Sequence, residues 1–214
     1  MSDKFDIEEV GNYSFDVDRI TSEIETALIT CGLPKLTNQV NLYHRPGYPV
    51  AGRAMFEDFV GSLHPEKNKT NILVSQSQFT EIHPLLAGSY TEEVCNIVRS
   101  ISKLAIGRVR LLGLNPKSCY SWHVDPDEIR YHIPLKTFYE AFFVVDEGVY
   151  RMPEAGHLYT ILSTKPHTAI NAAFNKRRTH LVFDTYTEEQ KLNNPHDFKL
   201  EQSSKIKYDV DNIY

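Results

Sequence analysis

The rhythm of apolar and polar positions changes near the middle of the chain. Between residues 18 and 31, Ile20, Ile24, Ala27, Leu28 and Cys31 fall on one helical face, and Gly32 and Pro34 end the run. A second helix is predicted over 91–103. Thr91 is its N-cap, Glu92 and Glu93 occupy its first turn, and Val94, Ile97, Val98 and Ile101 form its apolar stripe. Residues 37–70 mix Tyr, His, Pro and Gly, with a short helix expected near 55–62. After Gly107 the pattern turns to short segments at 108–114, 130–135, 140–145, 157–162, 167–174 and 178–184. These are rich in β-branched and aromatic residues and are separated by Gly, Pro, Asn or Asp, which predicts an all-β sandwich or barrel. The expected organisation is one domain over 1–187, with a helical N-terminal part (1–105) leaning on a β core (106–187). A polar C-terminal tail (188–214) follows.

Composition narrows the class. A chain of 214 residues with 41% hydrophobic content supports a sizeable core. The net charge of −5, with acids and bases interspersed, argues against a broad nucleic-acid-binding surface. Cys31, Cys95 and Cys119 are widely spaced and form no CxxC, which points to free thiols in a reduced compartment. The opening MSDKFDIEEV lacks the layout of a signal peptide, and no run approaches the ~20 apolar residues of a membrane span. A cytoplasmic protein without membrane or nucleic-acid partners is expected.

The stretch SWHVDPDEIRYHIPL crowds ligand-type side chains beside an apolar strand. Strand residues two apart share a face, so His123 pairs with Asp125, Arg130 with His132, and Arg178 with His180. His167 shares its face with Ala169 and Asn171. The H-x-D pair alone is also the sequence of a hydrogen-bonded turn opening on Asp-Pro. Its context adds His167 on a later strand and Arg178 on another. Two imidazoles and one carboxylate make the facial triad of non-haem Fe(II) oxygenases and leave three coordination positions open. Iron(II), one carboxylate and Arg178 sum to two formal positive charges. A dicarboxylate such as 2-oxoglutarate cancels them, with its far carboxylate on the guanidinium fork.

These segments together, G-R-V-R-L-L-G-L-N-P, H-V-D, R-Y-H-I-P-L, H-T-A-I-N and R-T-H-L-V-F-D across 106–184, resemble the aspartyl/asparaginyl β-hydroxylase family of Fe(II)/2-oxoglutarate dioxygenases. The resemblance implies a mainly β protein, a double-stranded β-helix (a cupin-like jelly roll) with N-terminal and flanking α-helices. It implies iron ligands at His123, Asp125 and His167, and 2-oxoglutarate contacts from Arg178, Arg130 and His132. Fe(II), 2-oxoglutarate and O2 are the implied cofactors and co-substrates. The implied reaction hydroxylates an amino acid or a peptide or protein side chain of Asp, Asn or Pro type, and turns 2-oxoglutarate into succinate. The family arginine usually lies about ten residues past the last ligand histidine, where Arg177 stands. R-x-H-L instead fits Arg178, which puts one extra residue in the loop at Asn175-Lys176 and turns Arg177 outward.

Two rival readings keep the jelly roll. One is a Zn(II), Mn(II) or Ni(II) hydrolase or isomerase without O2 chemistry, and the other a non-catalytic binding protein. His180 is either a support for the site or a satisfied core histidine, and Asn171 either orients substrate or closes a strand hydrogen bond. Trp122, opposite His123 in the alternation, is expected to pack outside the barrel. His44, His64, His83, His157 and His196 read as surface or hydrogen-bonding histidines.

Overall fold

Alternation along β5 (Ala105–Leu114), β7 (Ile129–Lys136) and β12 (Arg178–Tyr186) gives each strand two faces with different employment. One face carries Val109, Leu111, Ile133, Leu181 and Phe183, all buried in a single apolar cluster with Ile20, Ile24, Leu28, Val94 and Val98. The other face carries Arg108, Arg110, Arg130, His132, Arg178, His180 and Asp184, and it looks into the barrel. The structure, a computed structural model, describes residues 6–33, 39–46, 76–125 and 129–188. The helix expected near 55–62 and the tail beyond 188 lie outside the described residues.

The remaining strands are β1 (Ile7–Ser14), β2 (Gln39–Asn41), β3 (Tyr43–His44), β4 (Glu81–Ile82), β6 (Ser118–Cys119), β8 (Ala141–Val145), β9 (Gly148–Tyr150), β10 (His157–Leu162) and β11 (His167–Asn171). Of the twelve strands among the described residues, six form one sheet in the order β1-β10-β7-β12-β5-β2, and four form a second in the order β6-β11-β8-β9. Every pairing is antiparallel. From β5 onward the chain crosses between the two sheets, which is the double-stranded β-helix, or jelly roll. The space between the sheets holds a second cluster of Leu114, Phe143, Val145, Met152, Tyr159, Ile161 and Ala169.

Two helices cover the outer face of the large sheet. α1 (Val17–Thr30) buries Ile20, Ile24, Ala27 and Leu28, and Asp16 caps it by accepting from Arg19 N at 2.9 Å. α2 (Tyr90–Ile101) buries Thr91, Val94, Cys95 and Val98. Its cap is Ser89 rather than Thr91, since the Ser89 hydroxyl accepts from Glu92 N. Thr91 sits two residues on, within the first turn, where its hydroxyl and amide both donate to Glu23 Oε2 of α1 (2.7 and 2.8 Å). One acid on α1 thus satisfies the free N–H groups that begin α2.

The N-terminal part is not purely helical. β1 and β2 form the two edges of the large sheet, and β3 and β4 pair separately. β1 (IEEVGNYS) carries no apolar alternation because it is a mostly exposed edge strand, and its register shifts between Glu9 and Ser14, around Gly11 at φ +57°. Within the sheet, the β12–β7 register shifts between Thr179 and His180, opposite Pro134, which has no N–H for the ladder.

Ile133 lies at the centre of this sheet–helix layer with no exposed surface, whereas Ile29 on α1 is 67% exposed. Ile133→Ala is expected to lower unfolding free energy by about 2–5 kcal/mol in a denaturant melt, and Ile29→Ala by less than about 0.5 kcal/mol.

Candidate metal centre

The H-x-D segment is short and polar, and it is drawn into the small sheet by backbone pairing. His123 and His167 exchange both backbone hydrogen bonds (His123 N to His167 O, 3.1 Å; His167 N to His123 O, 2.9 Å). Two residues on, Asp125 N donates to Ser163 O at 2.9 Å. The imidazole and carboxylate donor atoms of His123, Asp125 and His167 consequently lie within 4.8 Å of one another. Both rings are oriented in the same way: Nδ1 of His123 faces the Ser121 carbonyl (2.7 Å) and Nδ1 of His167 faces that of Lys165 (2.9 Å). A carbonyl can only accept, so each ring carries its proton on Nδ1 and leaves Nε2 as a lone pair. Both Nε2 atoms point to Asp125 Oδ2, at 3.7 Å from His123 and 3.3 Å from His167. Two imidazole nitrogens and a carboxylate oxygen on one focus suit a divalent transition metal. Burial lowers the His123 pKa, which favours the neutral form that ligates, and the charge of Asp125 only partly offsets it.

Arg178 enters from β12 and is 2% exposed. Its Nε donates to His180 Nε2 at 3.0 Å, and its Cζ lies 4.4 Å from the centre of the Phe143 ring. His180 Nδ1 in turn lies 3.4 Å from His132 Nδ1. No carboxylate meets Arg178 among the described residues. Arg177 takes the opposite side of the strand, across Gly113, where an added Cβ would fall 2.1 Å from Arg177 Nη2. Asn171 absorbs the loop between. Its amide donates to Leu114 O (2.9 Å) and Lys176 O (2.8 Å), and its carbonyl accepts from Ala173 N (3.1 Å). Asn171 thus closes the strand end, with its amide and carbonyl both engaged by backbone groups.

Over residues 73–188, more than half of the chain, the sequence matches the aspartyl/asparaginyl β-hydroxylase family. The chain belongs to that family. Among solved structures it is similar to a 2OG-Fe(II) oxygenase family oxidoreductase from Burkholderia pseudomallei, at 19% identity and TM-score 0.38, over 49% of this chain and 59% of that one. It is also similar to a Pseudomonas putida prolyl-4-hydroxylase, at 13% identity and TM-score 0.43, over 85% of this chain and 93% of that one. A cupin domain from Bordetella pertussis aligns at 16% identity and TM-score 0.34, over 41% of this chain and 88% of that one. No curated protein matches the sequence.

In this β-hydroxylase family member the charge around the triad is carried by Arg130 together with Arg108, Arg110 and Asp184, to which the motifs assigned no role. Asp184, fully buried on β12, accepts from Arg108 Nε (2.9 Å) and Arg110 Nη2 (2.7 Å) and pairs with Arg130 Nε (2.7 Å). Arg130 then reaches Asp125 Oδ2 through Nη1 at 2.5 Å. Burial pushes both carboxyls up, but the guanidinium groups win: Asp184 is held well below the usual carboxylate range by Arg110, Arg130 and Arg108, and Asp125 by Arg130. Arg110 is itself pulled down to about 10, by burial and then by Arg108. The arginine expected only to contact a co-substrate therefore also ties the ligand Asp125 to Asp184. Alternation was the available signal, since Arg108 and Arg110 are two apart and Asp184 shares a face with Arg178. Lys165, whose carbonyl orients His167, is held through its ammonium by Asp6 (2.6 Å) and Asp146 (3.5 Å).

His132 and His180 are buried, and burial followed by Arg178 drives both pKa values well below the ordinary histidine value. The unfolded chain then binds protons that the folded protein refuses, so stability falls as pH drops through about 6.5. Chemical denaturation between pH 8 and pH 5 is expected to show this slope, and His180→Gln to reduce it.

Proposed function

We propose that the chain is an Fe(II)- and 2-oxoglutarate-dependent dioxygenase. It hydroxylates an amino acid or an amino-acid side chain of Asp, Asn or Pro type, coupled to decarboxylation of 2-oxoglutarate to succinate. One observation carries the reading: His123 Nε2, His167 Nε2 and Asp125 Oδ2 meet at one focus, in the barrel that also buries Arg178 without a carboxylate partner among the described residues. The family match supports the same class of chemistry.

When bound, iron supplies the O2 and one-electron chemistry that side chains lack. The chain's own residues bind, orient and exclude. The Ser121 and Lys165 carbonyls fix the tautomers of His123 and His167. Arg130 holds Asp125 as a carboxylate and, with His132, lends polar contacts to the co-substrate. Arg178 receives the far carboxylate of 2-oxoglutarate, and His180 and Phe143 set the plane of its guanidinium. Leu114, Phe143, Tyr159 and Ile161 keep water from the interior. A metal-dependent hydrolase or isomerase without O2 chemistry would have little use for Arg178 at this depth.

Succinate release from 2-oxoglutarate in the presence of Fe(II) tests the proposal, and its absence under every iron and acceptor condition overturns it. His167→Ala is expected to abolish turnover and to weaken metal binding by at least about tenfold in calorimetry. Arg178→Gln should raise the 2-oxoglutarate requirement by about 100-fold, because a buried carboxylate loses its ion partner, whereas Arg177→Gln should change it by less than about threefold.

A further inference from the structure

The loop 163–166, between β10 and β11, touches two of the three members of the triad. Ser163 O accepts from Asp125 N, and Lys165 O faces His167 Nδ1, both at 2.9 Å. The anchor of this loop comes from the other end of the sequence. Asp6, just ahead of β1 and 9% exposed, holds three segments at once. Its carbonyl accepts from Leu162 N at the end of β10 (2.9 Å), its Oδ1 pairs with Lys165 Nζ (2.6 Å), and its Oδ2 accepts from the Tyr150 hydroxyl of β9 (2.9 Å). Asp146, in the turn between β8 and β9, adds a longer contact to the same ammonium (3.5 Å), and its N donates to Pro166 O (2.9 Å). β1 and β10 belong to the large sheet, β8 and β9 to the small one, so this cluster ties both sheets to the loop.

Pro166 biases Lys165 toward extended backbone, which leaves the loop stiff within itself and free chiefly to shift as a unit. Such a shift moves both carbonyls together. It would take with it the hydrogen bond that sets the tautomer and aim of His167, and the one that seats the backbone of Asp125. The ion pair of Lys165 with Asp6 opposes that shift. We propose that Asp6 is a positioning residue for the metal centre: through Lys165 it fixes the loop that aims His167 and seats Asp125, and so sets how tightly a divalent metal is held. The inference rests on the metal-binding part of the reading above and is independent of the oxygen chemistry.

Titration of the metal-free full chain with Co(II), followed by calorimetry and by visible absorption, tests this without turnover. Asp6→Asn keeps the shape and an acceptor for Tyr150 but loses the charge that Lys165 meets. It is expected to weaken cobalt binding by about threefold or more and to change the d–d absorption of the bound ion. Lys165→Met should do the same, and adding Asp6→Asn to it should weaken binding no further, because the two act through one contact. Glu9→Gln breaks the 2.7 Å ion pair of β1 with His157, at the opposite end of β10, and should leave both readouts unchanged. If Asp6→Asn does not fold, Lys165→Met carries the test, since its side chain is 41% exposed. The proposal fails if these variants bind cobalt as the parent does with an unchanged spectrum. It fails too if Asp6→Asn weakens binding as much in the Lys165→Met background, or if Glu9→Gln weakens it equally, which would trace the loss to general loosening of β1. A parent that binds no Co(II) overturns the metal centre as well, whereas a binding parent with indifferent variants overturns this inference alone. The expected cobalt results in a chain that never forms succinate would sink the oxygenase reading and leave the role of Asp6 standing.

Discussion

Charge buried between two sheets must be answered by opposite charge, and the interior of this barrel is organised around that constraint. Asp184 sits at zero exposure and is tolerable only because guanidinium groups from β5 and β7 converge on it. The same arginine on β7 then holds Asp125, one of the three groups that meet at the candidate metal centre. Ion pairing in the sheet and the geometry of the centre are therefore one network. Losing one member of such a network strands the others in a medium that solvates them poorly.

Backbone pairing supplies the other half of the arrangement. His123 belongs to no regular strand, yet it shares two hydrogen bonds with His167. That bridge sets the separation of the two rings, and the carbonyls two residues upstream of each ring choose which nitrogen is free. The donor set is thus aimed by main-chain groups, whose positions depend on sheet register more than on the side chains nearby.

The sequence displays this plan unevenly. Strands buried on both faces, such as β7, β10 and β12, announce themselves through aromatic and β-branched runs, and the expected 157–162 matches β10 in full. β1, β6 and β9 are edge or two- to three-residue strands whose stability comes from neighbours, so no local pattern marks them. Ser89 was hidden as a cap because Thr91, two residues on, carries the same chemistry; only the contact with Glu23 separates them. At the site, His123, Asp125, His167 and Arg178 were legible from residue type and alternation. Arg108, Arg110 and Asp184 obey the same alternation, but their roles are tertiary: each is explained by a partner more than seventy positions away.

β12 is the last described strand in the chain, yet it lies between β7 and β5, inside the large sheet. Until it inserts, those two strands each present an unpaired edge, and Arg108, Arg110 and Arg130 line the gap with no Asp184 among them. The polar interior is therefore complete only with β12 in place, through contacts between residues far apart along the chain, the kind that form slowly.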